Sequence, residues 1–440
     1  MIGYYLDLAL NSVKRTPILT ALMVLAISLG IGATMTMLTV LHVMTDDPMP
    51  GRSAHLYTPH LDPLPLKFTS IATGRDVSAN LTWPDAMALL QAHRATRQAA
   101  MAGGHLLVRS ADDGAKVRPF YADGRYTTKD FFDMFGVPFE HGTGWTSNDD
   151  ASSAHVVVLA DSLAQKLFGS HDAIGKMVQL GDKDFRVIGV TADWQPSPMF
   201  YADVSSDHYS KGDQFFLPLS TAADLDLDIN GNMDTWVVSP SDDYMHSPTA
   251  TWLQFWVQLD TPAQVAAYRR FLRNYSEQQR SLGRFQRPAS NAKLYSLMGW
   301  LAHENLVPDD VRLQLWLALS FLFVCMVNIV ALLLAKFLRR SGEISVRRAL
   351  GARKRDIFVQ FGIESALIGL GGGMLGVLIA ELGLWSVRHR PDDYAHIARM
   401  DLSMLLLTLV LAVVASVLAG LLPAWRACSV APALQLKNSH

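Results

Sequence analysis

The chain has 440 residues, of which 50% are hydrophobic and only 18% are charged. Soluble proteins usually carry about 25% charged residues, so the composition excludes an ordinary soluble protein. The net charge of −2 hides an asymmetry, because residues 46–311 hold 32 acidic and 22 basic side chains. That segment contains neither of the two cysteines, Cys325 and Cys428, so it is expected to fold without disulfides.

Residues 1–16, MIGYYLDLALNSVKRT, are the first predicted element. Their apolar side chains recur at helical spacing, and Lys14 and Arg15 close the segment. This pattern is typical of an interfacial helix on a membrane surface. The alternative is that these residues are the frayed start of the apolar segment that follows.

Four segments contain almost no charge: 17–44, 313–335 (within a predicted helix 313–338), 357–387 and 402–423. Each is long enough to cross a hydrocarbon core of about 30 Å as a helix, which takes about 20 residues. We therefore predict an α-helical membrane protein with four transmembrane helices. A large α+β extracytoplasmic domain in two lobes, residues 45–312, is inserted between helices 1 and 2.

Basic residues near the ends of spans mark the cytoplasmic side. They concentrate in the N-terminus, in the loop 339–356 and in the tail 424–440. Both termini and this loop are therefore expected inside. The acidic domain and the short loop 388–401 are expected outside.

The outer domain alternates strand and helix patterns. Thr82 is a candidate N-cap of a helix. AHVVVLADSLAQKLFG reads as a buried strand followed by a helix that Gly169 ends, and KMVQLGDKDFRVIGVTAD reads as a hairpin. WLQFWVQLD is a strand pattern, after which Thr261-Pro262 opens a helix to about Arg284. The Ser-, Asp- and Pro-rich segment 196–250 is expected to form long loops at a lobe junction.

Small residues at four-residue spacing in the first and third spans predict close helix packing in lipid. They are Ser28, Gly32 and Thr36 in the first span, and the pairs Gly369 with Gly373 and Gly372 with Gly376 in the third.

Two acidic residues, Glu364 and Glu381, lie within or at the ends of the third span. Such groups suggest function because they are costly in lipid. Because we find no basic partner inside a span, we favour a hydrogen bond to a neighbouring helix over a proton relay.

Residues that would form a catalytic or metal site are not apparent. GSHDAIGKM, residues 169–177, has one residue too many between its glycines for a Walker A loop, and Met177 stands where Ser or Thr must meet Mg²⁺. We interpret it as a helix-to-strand connection. The histidines, among them His208 and His246, are scattered, and no pair has the spacing and third ligand expected for zinc.

The loop 339–356, RRSGEISVRRALGARKRD, allows three interpretations. Nucleic-acid binding is excluded because the loop has no aromatic or amide side chain. Anchoring of the membrane topology explains the charge. It does not explain why Val346, Ala349 and Leu350 follow helical spacing before Gly351, a helix-stop residue. A short helix that docks on a partner accounts for both, although the residues alone leave an anchor and a docking helix equally plausible.

A resemblance to a known family favours the docking helix over an anchor alone. GEISVRRALGARKRDIFVQFGIESALIGLGGGMLG resembles the permeases of MacB/FtsX-type ABC transporters, and LPAWRACSVAPALQLK resembles the closing motif of that family. SVKRTPILTALMVLAISLGIG is similar to its opening segment. In the outer domain, RYTTKDFFDMFGVPFEHGTGW and residues 156–193 resemble the MacB-type periplasmic core domain.

The resemblance implies that the chain is one non-catalytic permease subunit in the bacterial inner membrane. It would act as a mechanical lever through which ATP-driven motion of the ATPase moves the outer domain. Its coupling helix, Glu343, Ile344, Val346, Arg347, Arg348, Ala349, Leu350 and Gly351, would dock on a separate ABC ATPase subunit. That subunit would hold ATP and Mg²⁺, and this chain would bind no cofactor. Gly32, Gly369, Gly373 and Gly376 would pack the helices.

The other implied partners are membrane lipid and a second permease copy or paralogue. A periplasmic adaptor and an outer-membrane channel would serve export of an antibiotic, peptide or other periplasmic substrate. Residues 433–437, ALQLK, depart from the family pattern, which has an acidic residue before Ala-Leu-Arg. This departure is compatible with a heterodimer of this chain and a second, different permease.

Three alternatives remain. An FtsX-like transmitter would control a cell-wall hydrolase, but its outer domain is expected to be much smaller. A lipoprotein-releasing permease fits the size of the outer domain equally well. A membrane-anchored enzyme would need a group of catalytic residues that the sequence does not show.

Overall fold

The structure is a computed structural model of the 440-residue chain. It describes residues 2–70, 74, 78–110, 117–203, 212–237, 243–305, 309–340, 346, 351, 353–389 and 402–429.

The chain forms two compact units. Residues Asp46–Leu306 make one, an α+β unit. Met1–Thr45 and Val307–His440 together make the other, a helical unit. The α+β unit is therefore an insertion between the first long apolar helix and the second, as the apolar segments predict.

Twelve α-helices have both ends in the described part of the chain. They are α1 (Ile2–Arg15), α2 (Pro17–Thr45), α3 (Trp83–Ala92), α4 (Asp130–Phe135), α5 (Ser147–Ala151), α6 (Asp161–Phe168), α7 (Leu219–Asp224), α8 (Pro262–Ser281), α9 (Leu297–Glu304), α10 (Asp309–Arg339), α11 (Lys354–Arg388) and α12 (Leu402–Ser429).

Thirteen strands, all in the α+β unit, pair within the described residues. They are β1 (Leu56–His60), β2 (Leu81–Thr82), β3 (Arg97–Ser110), β4 (Phe120–Thr127), β5 (Phe139–Gly142), β6 (Val156–Ala160), β7 (Met177–Leu180), β8 (Lys183–Thr191), β9 (Phe215–Pro218), β10 (Ile229–Asn230), β11 (Asp234–Thr235), β12 (Ala250–Gln258) and β13 (Lys293–Ser296).

The strands join in one sheet with the order β13-β1-β12-β3-β4-β9-β6-β8-β5, and β2, β7, β10 and β11 pair at its sides. Most neighbours are antiparallel, whereas β4 with β9 and β6 with β8 are parallel. Strands and helices therefore mix in this unit, in agreement with the predicted α+β class.

Alternate residues of the central strands face two separate apolar cores. In β3, Ala99 and Met101 face one core while Ala100 and Ala102 face the other. In β12, Trp256 faces the same core as Ala99, and its neighbour Phe255 faces the same core as Ala100. This alternation follows from the strand period of two, and it explains why these strands are buried on both faces.

Local sequence signals place several elements correctly. Thr82 caps α3, and its hydroxyl accepts from the backbone N–H of Asp85. Gly169 ends α6 with a positive φ of 63°, a conformation that costs glycine no side-chain clash. β7 and β8 form the predicted hairpin. Thr261 caps α8, which ends at Ser281.

The segment 196–250 contains more regular structure than its composition indicates. Instead of long loops only, it contributes β9, α7, β10 and β11. β9 pairs with β4 and β6 inside the sheet. Its short apolar run, Phe215–Leu217, is fully buried, and this run outweighs the polar residues around it because burial stabilises the strand.

Four helices, α2, α10, α11 and α12, are long and apolar enough to cross a membrane. Within the helical unit, α10 and α11 each pack mainly on α2 and α12, so they occupy opposite corners of a four-helix bundle. Large apolar side chains on the outer faces, such as Trp316, Phe323 and Met374, are more than 60% exposed. A surface of this kind suits contact with lipid tails.

The N-terminal segment forms a helix of its own. α1 ends at Arg15, and α2 begins two residues later at Pro17. α1 packs on α11 through a face that buries Ala9 and Ser12. It is therefore a separate element with its own contacts.

Candidate functional site

The basic loop predicted to dock on a partner lies between α10 and α11. α11 begins at Lys354, so its first turn takes in the last three residues of the predicted loop. Asp356 favours this start, because its carboxylate accepts from the backbone N–H of Arg353 and a negative charge suits a helix N-terminus.

Two of the predicted docking residues are described. Val346 is helical and 54% exposed, and Gly351 has a φ of 101°. The others lie outside the described residues: Glu343, Ile344, Arg347, Arg348, Ala349 and Leu350. Residues 430–437 of the closing motif and residues 390–401 of the short loop also lie outside them.

A buried cluster of charged and polar side chains lies at the base of this loop. Glu364 of α11 is fully buried, and Lys336 of α10 is 1% exposed. The ammonium nitrogen Nζ of Lys336 is 2.6 Å from Oε1 of Glu364. We call Ser12, Lys336, Arg340 and Glu364 the ion cluster.

The other two members connect the loop and the N-terminal helix to this ion pair. Arg340, the second residue of the predicted loop, places Nη1 3.5 Å from Oε2 of Glu364. The same nitrogen donates to Oγ of Ser12 at 2.6 Å. The hydroxyl of Ser12 in turn donates to Oε1 of Glu364. One carboxylate therefore joins α1, α10 and α11.

This arrangement corrects the expectation that Glu364 has no basic partner inside a span. Lys336 lies in the last turn of α10, and its side chain reaches α11. A buried carboxylate is expensive in an apolar medium unless it is paired and hydrogen-bonded. Here it has two cations and a hydroxyl, so its charge is satisfied within the protein. Glu381 is different, since it is half-exposed and pairs with Arg388 on its own helix at 2.6 Å.

An aromatic contact reinforces the ion cluster. Phe337 and Phe361, both buried, stack with ring centroids 3.9 Å apart. Because α10 and α11 lie at opposite corners of the bundle, this stack and the ion pair bridge helices that otherwise have few contacts. The two helices that flank the basic loop are therefore joined at its base.

The predicted small-residue positions lie on two faces of α11. A Cβ atom at Gly369 would be 2.7 Å from Cβ of Ser416 on α12, and one at Gly373 would be 2.9 Å from Cβ of Ala412. On the other face, Gly376 lies against Ile31 of α2. A Cβ at Gly32 of α2 would be 2.5 Å from Cγ2 of Ile379. Glycine allows the backbones to approach closely here.

Sequence reasoning missed the ion cluster although part of its signal is present. Lys336 is a charged residue in the last turn of an apolar helix, a position where a long side chain usually extends to the interface. Only the packing of α10 near α11 shows that it turns inward to Glu364.

The α+β unit brings together one group of candidate metal ligands that sequence spacing did not suggest. Ligand atoms of Glu140, Asp161 and His171 lie within 4.8 Å of one another. Glu140 and His171 are exposed, and Nδ1 of His171 is 2.6 Å from the carboxylate of Asp161. The histidine and the aspartate are thus already paired with each other. Residues 169–177 form the predicted connection from α6 to β7.

Two family models match the chain. Residues 20–275 match the MacB-like periplasmic core domain, and residues 316–432 match the FtsX-like permease C-terminal family. Together they cover most of the inserted α+β unit and most of the long apolar helices.

Curated relatives share about a quarter of the aligned residues. The chain is 25% identical to the pyoverdine export ATP-binding/permease protein PvdT of Pseudomonas entomophila, over 71% of this chain and 42% of that protein. It is 25% identical to the macrolide export ATP-binding/permease protein MacB of Aggregatibacter actinomycetemcomitans, over 57% of this chain and 33% of that protein. The chain thus spans less than half the length of these relatives.

The solved structures that match the chain include the periplasmic region of MacB from Actinobacillus actinomycetemcomitans. That match has a TM-score of 0.37 and 17% identity, and it covers 57% of this chain and 92% of that one. The extracellular domain of the noncanonic ABC-type transporter YknZ from Gram-positive bacteria matches with a TM-score of 0.31 and 15% identity, over 48% and 87% of the two chains.

Proposed function

Because this chain belongs to the MacB/FtsX-type family of ABC transporter permeases, membrane proteins with a periplasmic domain, we propose that it is a non-catalytic permease subunit. It converts ATP hydrolysis by a separate ATPase subunit into motion of its periplasmic domain. The basic loop receives the force on the cytoplasmic side, with both termini on that side.

The ion cluster is the observation that supports this proposal best. A loop that receives force must pass it to both helices that flank it. Lys336 in the last turn of α10 and Arg340, which directly follows that helix, share the carboxylate of Glu364 on α11. Because the ion pair is buried, separating its members would leave charges without partners, at a cost of several kcal/mol. The two helices therefore move together when the loop is displaced.

Chain connectivity carries the motion onward. α2 leads directly into the α+β unit and α10 leads directly out of it. α11 packs closely on α2 along its glycine face. A displacement of α10 and α11 thus reaches both connections to the periplasmic domain. No step of this path requires a chemical reaction in this chain.

The names of curated relatives support an export function. Relatives are named as pyoverdine and macrolide export proteins, so we propose that this permease exports a substrate already in the periplasm. A second permease copy or paralogue, a periplasmic adaptor and an outer-membrane channel would complete the transporter.

The test of this proposal is Leu350→Asp in the predicted docking helix. A carboxylate in an apolar groove of the ATPase is costly because it loses its hydration. We expect the variant to insert normally but to lose co-purification of the ATPase and stimulation of ATP hydrolysis. The measurement uses the tagged chain, purified from its own host in detergent together with the ABC ATPase that it retains.

Arg353→Gln is the matched control. It removes one of several clustered charges beyond Gly351, so it is expected to leave insertion and coupling unchanged. The purified chain without an ATPase is expected to hydrolyse no ATP. If Leu350→Asp couples normally while neutralising several arginines together blocks insertion, the loop is only a topological anchor and the docking proposal fails.

A further inference from the structure

A cavity of about 470 Å³ opens at one edge of the sheet in the α+β unit, between α8 and β13. This volume is within the range of about 300–1,000 Å³ found for small-molecule sites. Its walls are mostly apolar, and Leu272, Leu294 and Tyr295 are among the residues that line it. The cavity can therefore hold an apolar body of small-molecule size.

Three basic residues line the same cavity, Arg269 and Arg273 of α8 and Lys293 of β13. All three are exposed, so their charged ends stay in water around the opening. Among the residues that the structure describes, none forms an ion pair or a hydrogen bond with these three side chains. No described residue of the cavity wall is acidic. The cavity therefore opens beside three positive charges that no described carboxylate neutralises.

The amphipathic pattern of α8 explains why the two arginines are neighbours. The helix buries Tyr268, Leu272 and Ser276, which recur every four residues. Arg269 and Arg273 each follow a buried residue by one position, so they lie beside the buried stripe, one turn apart. Like charges at this spacing repel each other. An anion bound between the two guanidinium groups would offset this repulsion.

Charge is unevenly distributed in the α+β unit, which is acidic as a whole. Residues 46–311 hold 32 acidic and 22 basic side chains, whereas residues 269–293 hold seven basic side chains and a single acidic one. Three of the seven have carboxylate partners: Arg280 pairs with Glu277, Arg284 with Asp85 and Arg287 with Asp62. These carboxylates are thus already paired, and the positive charges beside the cavity are in excess of the ion pairs of the fold. Such a local excess attracts a negatively charged ligand.

We propose that this cavity binds an amphiphilic anion, a molecule with an apolar body and a phosphate, sulfonate or carboxylate group. The body lies against the apolar wall, and the anionic group lies at the opening between Arg269, Arg273 and Lys293. Arginine suits this role because its planar guanidinium group presents paired N–H donors to an oxyanion. Binding requires neither ATP nor a partner chain, so this inference does not depend on coupling to an ATPase.

The test compares two fluorescent probes that differ only in charge. Anilinonaphthalene sulfonate carries a sulfonate group, and N-phenylnaphthylamine is the same molecule without it. Each is titrated against the full chain in phosphatidylcholine nanodiscs, and the signal from protein-free nanodiscs is subtracted. We expect the sulfonate probe to bind at least about tenfold more tightly, since one charge-assisted hydrogen bond supplies about this ratio.

The double variant Arg269→Gln/Arg273→Gln removes two of the three charges. Because these side chains have no partner among the described residues, the thermal stability of the chain is not expected to fall. Affinity for the sulfonate probe should drop at least about tenfold, whereas affinity for N-phenylnaphthylamine should stay within about twofold. Arg270→Gln/Arg280→Gln is the matched control. It removes two arginines of α8 that do not line the cavity, and it should leave both affinities unchanged.

A pair of tryptophan substitutions tests the location. Ser290 lines the cavity and is exposed, so Ser290→Trp should narrow the cavity without disturbing the core and weaken binding of both probes. Ala267→Trp, on the exposed face of α8 and outside the cavity, is the control and should leave both affinities unchanged.

A dissolved anion and the headgroup of an anionic lipid share the proposed chemistry, and two further titrations distinguish them. Hexyl phosphate is expected to displace the sulfonate probe from the unmodified chain in phosphatidylcholine nanodiscs. Replacing part of the phosphatidylcholine by phosphatidylglycerol weakens probe binding if a lipid headgroup fills the site, and this weakening should be absent in Arg269→Gln/Arg273→Gln. If the lipid has the same effect on both chains, the site takes a dissolved anion.

Three results would overturn the anion site. The first is equal affinity of the two probes for the unmodified chain. The second is an equal loss of affinity for the sulfonate probe in the two double arginine variants. The third is unchanged binding of both probes in Ser290→Trp, because the probes would then bind elsewhere on the chain.

Discussion

Glu364→Gln is expected to destabilise the helical unit by about 3–5 kcal/mol, the cost of removing one partner of a buried ion pair. Glutamine has nearly the shape of glutamate, so packing is preserved and only the charge is lost. The ammonium of Lys336, which is 1% exposed, then has no counter-charge. The measurement is the fraction of monodisperse protein that remains after heating in detergent, followed over temperature.

Glu381→Gln is a matched control on the same helix. Glu381 is 50% exposed and pairs with Arg388 at 2.6 Å. An exposed ion pair of this kind contributes only about 0–1 kcal/mol, so the variant is expected to unfold close to the unmodified chain. If the two glutamine variants unfold alike, the pair at Glu364 is not the buried contact described above.

A double variant separates stability from force transmission. Adding Lys336→Met to Glu364→Gln removes both buried charges, which is often close to neutral for stability. The double variant should therefore regain most of the lost stability. It should still fail to stimulate the ATPase that co-purifies with the unmodified chain, since the ion pair no longer couples α10 to α11. A stable double variant that couples normally would exclude the ion cluster from the transmission path.

Gly369→Val is expected to cost at least about 3 kcal/mol, at the upper end of the range for overpacking a core. A Cβ atom at this position would be 2.7 Å from Cβ of Ser416, 2.9 Å from the carbonyl oxygen of Ala412 and 3.0 Å from Cα of Val413. Two of these atoms belong to the backbone of α12, so no change of rotamer can relieve the clash. α11 and α12 must separate, and the same heating assay measures the loss.

Gly362→Val on the same helix is the control. A Cβ atom there would meet nothing within 4 Å. Valine has a slightly higher helix propensity than glycine, so this variant should be as stable as the unmodified chain or slightly more stable. Equal losses in the two variants would mean that valine is poorly tolerated anywhere in α11 and that close packing at Gly369 is not the cause.

The long apolar helices and several elements of the α+β unit could be predicted from sequence because their signals are local. A charge-free run of sufficient length predicts a helix that can cross a membrane, and α2, α10, α11 and α12 follow the four such runs. The N-cap Thr82, the C-cap Gly169 and the hairpin of β7 and β8 also depend on residues a few positions apart. Each of these signals can therefore be read without knowing the tertiary contacts of the rest of the chain.

The ion cluster depends on how distant elements dock, which no local pattern encodes. Lys336 and Glu364 are separated by the basic loop and become partners only because α10 and α11 converge at its base. Hydropathy and residue spacing depend only on residues that are near each other in the sequence. The partner of a buried charge or acceptor is set by packing across the fold, because its energy depends on the atoms that replace water around it.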